Sequence, residues 1–276
     1  MTKNIKEIKS VCEILNDIPD YTMLILDLDN TFMTPHFDLG GDAWFTSLIS
    51  EVVNKHEDRN LAMIWAITLY SSVQHFIRTK AVEQELVKFV KSWQAKGSPV
   101  LALTSRNTST IAATLNQIRD IGIDFSKNWN IPNDSDTFVG GIIFSGGGDK
   151  GAHLSTFLMK HQLPCAHVTM FDDKKRHLEE IAAALELLGI KFSGYRYGYL
   201  DDHVTRFNGE SANAQLAFLT PHLPPPAREA VRNLKLTMSG KNPTFDTSTF
   251  AHGFFIPISN VAQDGAPSAF TMGNES

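Results

Sequence analysis

The amino-acid sequence predicts an α/β fold: a parallel β-sheet flanked by helices, with a helical insertion after the first strand. Three features support this prediction. Short apolar runs alternate with longer segments of helical periodicity, which is typical of parallel sheets with right-handed crossover connections. Polar side chains follow directly on several of the apolar runs. Between the first run and the second the alternation stops, and helical patterns rich in large apolar residues fill the gap.

The predicted strands are apolar runs with the length and composition of buried parallel strands. They cover Met23–Asp27, Val100–Thr104, Gly141–Phe144, Val168–Asp172 and Lys191–Tyr195. The predicted helices between them cover Glu83–Gly97, Thr110–Gly122, Gly151–His161 and Lys175–Gly189. We expect Gly97 to end the first of these helices, because glycine readily adopts the left-handed conformation found just past a helix.

Residues from about 32 to 80 form the predicted insertion, with helical patterns at Asp42–Asp58 and Leu61–Arg78. Ligands bind at the carboxyl ends of the strands in such sheets, so the insertion is a candidate lid. One more helix is expected at Pro226–Met238. The prediction is therefore a single domain over residues 1–238, followed by an irregular tail over residues 239–276.

The composition argues against several classes of function. The net charge of −5 disfavours nucleic-acid binding, which usually needs a basic face. Cys12 and Cys165 are too few for a disulfide framework, and we expect both to be buried free thiols. No secretory signal is visible, and the most apolar stretch, Leu61–Tyr70, is too short to span a bilayer. We expect a soluble, cytoplasmic protein without a transmembrane segment, and export into a host without a signal stays open.

Polar groups gather where the predicted strands end. They are Asp27 and Asp29 after the first strand, Thr104 and Ser105 at the second, Lys150 beyond the third, and Asp172 and Asp173 at the fourth. Because the carboxyl ends of parallel strands share one edge of the sheet, we expect these groups to converge. Carboxylates, a hydroxyl and an ammonium group at one point suit phosphoryl transfer with a divalent metal, and carboxylate oxygens suit Mg²⁺.

Each residue type has a role in that chemistry. A carboxylate beside a metal is a competent nucleophile, so Asp27 can attack phosphorus. Asp29 points away from Asp27 and could reach the leaving oxygen as a general acid, then act as a general base on water. Lys150 would neutralise charge on the transferring phosphoryl group. Thr104 and the backbone N–H groups of the following helix would bind its oxygens.

Structural roles compete with some of these assignments. Asp172 and Asp173 also suit the N-terminus of the following helix, although capping and metal binding can coexist. Ser105 and Arg106 join the candidate substrate-binding residues, but whether Arg106 touches the leaving group is evenly balanced. The basic run Lys174–His177 is interpreted as a solvated helix face, with a patch that steers an anionic substrate as the alternative.

The candidate residues also form an ordered set of motifs. DLDNT holds Asp27 and Asp29, VLALTS holds Thr104, Lys150 follows, and FDD ends at Asp173. This order resembles the four motifs of the haloacid dehalogenase (HAD) superfamily, whose members are mostly phosphatases. The resemblance implies a Rossmann-like, HAD-like sheet, an aspartyl-phosphate formed on Asp27, and Mg²⁺ as the cofactor.

The resemblance also implies how the metal is held. In the superfamily its ligands are the nucleophile, the backbone carbonyl of the second aspartate and one acidic residue of the fourth motif. In this sequence these are Asp27, Asp29 and Asp173. Asp172 is then the second acidic residue near the metal, with Lys150 as its candidate partner.

Two further segments, Leu39–Phe45 and Tyr195–Val204, resemble a bacterial branch of the superfamily whose members mostly lack assigned functions. Some relatives in that branch are delivered into host cells and act on phosphotyrosine in proteins. The expected function is a Mg²⁺-dependent phosphatase whose partner is a phosphorylated substrate, either a phosphoprotein or a small phosphomonoester. A phosphotransferase with the same core and a phosphate-binding module without turnover are the alternatives.

Overall fold

The computed structural model describes residues 5–133 and 137–241. It confirms the α/β fold with a mostly parallel central sheet. Most of the predicted irregular tail, from residue 242 onward, lies outside the described residues. Among the helices of the described ranges, none has the length and apolar character needed to cross a membrane.

The sheet contains the predicted strands and two edge strands that the sequence did not reveal. In chain order, the strands are β1 (Ile5–Ile8), β2 (Met23–Leu26), β3 (Met33–Pro35), β4 (Thr79–Ala81), β5 (Val100–Thr104), β6 (Phe138–Val139), β7 (Ile142–Phe144), β8 (His167–Asp172) and β9 (Lys191–Tyr197). The sheet has the order β1-β9-β8-β2-β5-β7-β6, and β6 runs antiparallel to β7. β1 escaped prediction because it is an edge strand with Lys6 and Glu7 exposed, so it lacks the apolar run of a buried strand.

Helices cover both faces of the sheet and build the insertion. They are α1 (Asp42–Glu51), α2 (Arg59–Gln74), α3 (Gln84–Ala95), α4 (Ile111–Ile121), α5 (Lys150–Lys160), α6 (Lys175–Leu187), α7 (Asp201–Val204), α8 (Gly209–Leu219) and α9 (Pro225–Met238). The predicted helices on the sheet are confirmed to within a few residues. Gly97 follows the end of α3 with a φ of +83°, as expected for a helix terminator.

The insertion is carried on a two-stranded stem. β3 and β4 pair antiparallel, with Met33 opposite Ala81, and α1 and α2 lie between them in the chain. The predicted helix over Asp42–Asp58 is too long, because α1 ends at Glu51. Asp58 instead caps the N-terminus of α2, since its side chain accepts a hydrogen bond from the backbone N–H of Leu61 at 3.0 Å.

The insertion shares a hydrophobic core with the C-terminal helices. Buried residues of α2 such as Trp65 and Val73 belong to the same apolar cluster as Leu216 of α8 and Leu234 of α9. The sequence predicted α9 but not α8, whose buried residues are Ala212 and Leu216. A buried stripe this narrow gives little helical periodicity.

The cysteines are only partly as predicted. Cys12 and Cys165 are both free thiols, as expected from their number. The prediction that both are buried is wrong, because Cys12 is exposed and Cys165 is half-buried. Cys12 lies in the short 3₁₀ turn Val11–Glu13, where Val11 is the buried residue and Cys12 points away from the core.

Candidate active site

Neighbouring strands bring the predicted site residues to one edge of the sheet. β2 lies between β8 and β5, and all three run parallel, so their carboxyl ends point the same way. Asp27 follows β2 directly, Asp172 ends β8 and Thr104 ends β5. The loop after β7, next to β5, leads to Lys150 at the start of α5.

Lys150 is a buried cation at the centre of the site. Its side chain has no exposed surface. Its Nζ donates to Oδ1 of Asp27 at 2.6 Å and to Oδ2 of Asp172 at 2.7 Å. Gly151 allows α5 to approach α6 closely, since a Cβ there would lie 2.3 Å from the carbonyl oxygen of Glu180. The ammonium group therefore bridges two carboxylates from neighbouring strands.

Asp172 receives hydrogen bonds on both carboxylate oxygens. Oδ1 accepts from the backbone N–H of Lys174 at 2.8 Å and from Nδ1 of His177 at 3.0 Å, while Oδ2 accepts from Lys150. Burial alone would raise the pKa of Asp172, but Lys150 and His177 outweigh it and hold the pKa well below its usual range. Asp172 is therefore an anion that fixes the position of Lys150.

The prediction that Lys174–His177 is a solvated helix face is wrong for two of its members. His177 is buried against Asp172, and burial together with the charge of Lys150 lowers its pKa. Lys174 pairs with Asp42 at 3.0 Å and so links the first turn of α1 to the loop after β8. Lys175 is exposed, as predicted. The spacing of His177 four residues before the buried Ile181 could have revealed its inward orientation.

Thr31 and Asn30 also contact the site, although neither was predicted to have a role from the sequence. The hydroxyl of Thr31 donates to Oδ2 of Asp27 at 3.2 Å and accepts from the backbone N–H of Asp173 at 3.0 Å. Asn30 has a φ of +60°, a left-handed conformation that asparagine tolerates better than most residues. Its Nδ2 lies 3.4 Å from Oδ2 of Asp173. The tight turn after β2 therefore ties the nucleophile candidate to the fourth motif.

Three carboxylates form a group that could hold a metal. In the described residues, oxygens of Asp27, Asp172 and Asp173 all lie within 4.8 Å of one another. Burial raises the pKa of Asp27 to about 7, against the opposing charge of Lys150. Burial and the charges of Asp27 and Asp172 hold the pKa of Asp173 well above its usual range. The mutual repulsion of these buried carboxylates and their all-oxygen donor set both fit Mg²⁺.

Asp29 is held by Arg106 rather than by the acidic group. Nε and Nη2 of Arg106 each donate to one oxygen of Asp29, both at 2.8 Å. The guanidinium is buried, and its Nη1 donates to Thr114 at 3.0 Å and to Gln117 at 2.6 Å, both on α4. Such a two-point contact fixes the carboxylate in direction as well as in place.

Thr104 and Ser105 differ in their surroundings. Thr104 is fully buried, and its Oγ1 accepts from the backbone N–H of Arg106 at 3.2 Å, so its own hydroxyl proton is free to donate elsewhere. Ser105 is exposed at the rim of the loop. The loop after β5 therefore offers a buried hydroxyl and an exposed hydroxyl beside Arg106.

Comparison with known proteins gives a family and two distant similarities. The structure is similar to that of the class C acid phosphatase from Bacillus anthracis with tungstate bound, at 14% identity, 86% coverage of each chain and a TM-score of 0.33. The sequence is similar to a putative outer membrane protein of Chlamydia pneumoniae, 23% identical over 199 residues that cover 69% of this chain and 76% of that protein. The family described as "Protein of unknown function (DUF2608)" matches residues 1–223. The chain belongs to the DUF2608 family.

Proposed function

We propose that this protein is a Mg²⁺-dependent phosphomonoester hydrolase that works through an aspartyl-phosphate on Asp27. The observation that carries the proposal is the buried ammonium group of Lys150, held between Asp27 and Asp172. Burying an ammonium group between two carboxylates, with a third carboxylate nearby, costs desolvation free energy. The same arrangement provides the positive charge that a doubly charged phosphoryl group needs.

The metal would be held by the carboxylates of Asp27 and Asp173, and the resemblance to the HAD superfamily adds the backbone carbonyl of Asp29. Asp172 is a poorer ligand, because donors already occupy both of its oxygens. When bound, Mg²⁺ neutralises negative charge on the phosphoryl oxygens and on the attacking carboxylate.

The chain's own residues supply the covalent steps. A carboxylate oxygen of Asp27 attacks phosphorus, the bond from phosphorus to the leaving oxygen breaks, and Asp29 gives that oxygen a proton. Asp29 then takes a proton from water as the water oxygen attacks phosphorus. The bond between Asp27 and phosphorus breaks, and inorganic phosphate is released. Because Arg106 contacts both oxygens of Asp29, one of these contacts must open when Asp29 carries the proton.

Binding of the phosphoryl group falls to Lys150, Thr104, Ser105 and Arg106. Lys150 places a positive charge next to the attacked phosphorus, and Thr104 can donate its hydroxyl proton to a phosphoryl oxygen. Arg106 reaches the site only through Asp29 in the present arrangement. A contact between Arg106 and the leaving group would therefore require the guanidinium to turn away from Asp29.

The proposed substrate class is a phosphorylated compound, with protein phosphotyrosine as the finer candidate. The phosphotyrosine candidate rests on the resemblance of Leu39–Phe45 and Tyr195–Val204 to a bacterial branch of the superfamily, some members of which act on phosphotyrosine in proteins. Small phosphomonoesters are the second candidate, since the core contacts only the phosphoryl group. We propose the cytoplasm as the place of action, either that of the producing cell or that of a host.

Hydrolysis of p-nitrophenyl phosphate tests the proposal. Activity should appear with Mg²⁺, vanish with a chelator and return when Mg²⁺ is added again. Asp27→Asn should abolish it, whereas Asp20→Asn, at an exposed carboxylate paired with Lys96 at 3.1 Å, should leave it unchanged. Turnover by Asp27→Asn at the wild-type rate would refute the mechanism. Metal binding without turnover on a broad panel of phosphomonoesters would favour the phosphate-binding module, and transfer to an added alcohol would favour a phosphotransferase.

A further inference from the structure

Arg196 reaches from the neighbouring strand to the backbone of the candidate metal site. It lies in β9, directly opposite Asp172 in the register of β8 and β9. Its Nε donates to the carbonyl oxygen of Asp173 at 2.8 Å. Of the three clustered aspartates, Asp173 accepts the fewest hydrogen bonds on its carboxylate, which leaves its oxygens available to a metal. The position of its backbone therefore determines where those oxygens lie.

The guanidinium of Arg196 is itself fixed by two carboxylates. Its Nη1 donates to Oε1 of Glu7 on β1 at 2.7 Å and to Oδ2 of Asp201 on α7 at 2.5 Å. Lys9 also pairs with Asp201, at 2.7 Å. Lys9 is mostly exposed, whereas Arg196 is mostly covered. Arg196 therefore joins the edge strand β1 and the short helix α7 to the loop after β8.

Gly198 leaves the space that this network occupies. A Cβ at residue 198 would lie 2.6 Å from Oδ2 of Asp201 and 2.7 Å from Nη1 of Arg196. Both distances are too short for a carbon atom, so any side chain at this position would displace the ion pair. The stretch Tyr195–Val204 thus contains the arginine, its carboxylate partner and the glycine that accommodates them.

We propose that Arg196 is a positioning residue for the metal site, acting by holding the backbone of Asp173. The proposal rests on the proposed function, since it assigns Arg196 a role toward the same metal. It gives a purpose to Asp201 as well, which has no place in phosphoryl transfer. The hydrogen bonds of Arg196 go to Glu7, Asp201 and the backbone carbonyl of Asp173 rather than to the metal-binding carboxylates, so its effect passes through the backbone of Asp173.

Removing Arg196 should change the Mg²⁺ affinity in opposite directions, depending on whether Arg196 positions Asp173 or acts only through its positive charge. The positive charge of Arg196 repels a divalent cation, so by charge alone Arg196→Met should raise the affinity for Mg²⁺. Loss of positioning should lower it, by about tenfold or more, as for other residues that orient metal ligands. Arg196→Lys keeps the charge but not the fork of donors, so it should also lower the affinity.

Titration calorimetry of the full chain with Mg²⁺, and with Mn²⁺ as a second probe, tests the proposal. Arg196→Met, Arg196→Lys and Gly198→Ala should each bind more weakly than the wild type. Gly198→Ala changes no charge and disturbs the same network by steric conflict. Arg232→Met is the matched control, because Arg232 forms an exposed pair with Glu229 away from the site, and it should bind as the wild type does. All titrations are run well below the melting temperature of each variant, measured by circular dichroism.

The outcomes distinguish this proposal from the proposed function. The role of Arg196 would be overturned if the wild type binds Mg²⁺ and the folded variants Arg196→Met and Gly198→Ala bind it equally well or more tightly. The phosphatase proposal would then still stand. Weakened binding in both, with Arg232→Met unaffected, supports it. A wild-type chain that binds neither cation would overturn both proposals together.

Discussion

Replacing Asp27 by asparagine should stabilise the metal-free protein while removing its activity. The side chain is buried, and its pKa is raised from an ordinary value of 3.8 to about 7. The folded state therefore holds the proton of Asp27 more tightly than the unfolded state does. Between pH 4 and pH 7 the unfolded chain loses that proton first, so the free energy of unfolding falls as the pH rises.

The size of the effect follows from the two pKa values. With about 1.4 kcal/mol for each pKa unit, the easier ionisation of Asp27 in the unfolded chain lowers the free energy of unfolding by about 2 kcal/mol at pH 5 and about 4 kcal/mol at pH 8, relative to a side chain that does not ionise. Asparagine has the shape of the protonated carboxyl and cannot ionise. Asp27→Asn should therefore exceed the wild type in stability by up to these amounts, with the difference growing toward higher pH.

Urea denaturation at pH 5 and pH 8, with a chelator present, measures the effect. Asp20→Asn serves as the control at an exposed carboxylate, and its difference from the wild type should stay below about 1 kcal/mol at both pH values. Mg²⁺ at ten times its dissociation constant should then stabilise the wild type by about 1.4 kcal/mol and Asp27→Asn by less. A variant less stable than the wild type at pH 8, or a difference that does not grow with pH, would refute the reasoning.

Three other substitutions test the remaining contacts. Lys150→Met leaves Asp27 and Asp172 without their buried cation, and should lower the free energy of unfolding measured in urea by about 3–5 kcal/mol. A loss under about 1 kcal/mol would contradict the central role of Lys150. Thr31→Val removes the hydroxyl between Asp27 and the backbone N–H of Asp173, and should cost about 1–3 kcal/mol of stability in the same assay; an unchanged midpoint would count against the bridge. Lys174→Met breaks a pair with Asp42 in which both side chains are about one-third exposed, so a loss of under about 1 kcal/mol is expected, and a much larger one would show that the pair does more than join two surfaces.

The local parts of the site could be read from the sequence. Asp27, Thr104 and Asp172 end apolar runs of strand length, and each strand occurs where it was predicted. Parallel strands then require these ends to share an edge. The sequence predicts these strand ends because apolar runs and helical periodicity are patterns of residues that are close together in the chain.

The contacts between distant residues could not be read in this way. Arg106 lies 77 residues from Asp29 in the chain, and its two-point contact depends on how β5 and α4 sit against the turn after β2. The position of His177 depends on which face of α6 turns toward β8. Both arise from three-dimensional packing, whereas the sequence pattern records only that the residues are basic.

The shared core of the insertion and the C-terminal helices has a consequence for folding. α2 is synthesised roughly 150 residues before α9, yet the two bury the same apolar cluster. During synthesis, the apolar face of α2 stays incompletely buried until the end of α9 has left the ribosome. The central sheet has all of its strands by Tyr197 and can form earlier. The insertion thus completes its core after the sheet can form, although it is made before most of the sheet's strands, and in the interval its apolar surface is open to aggregation.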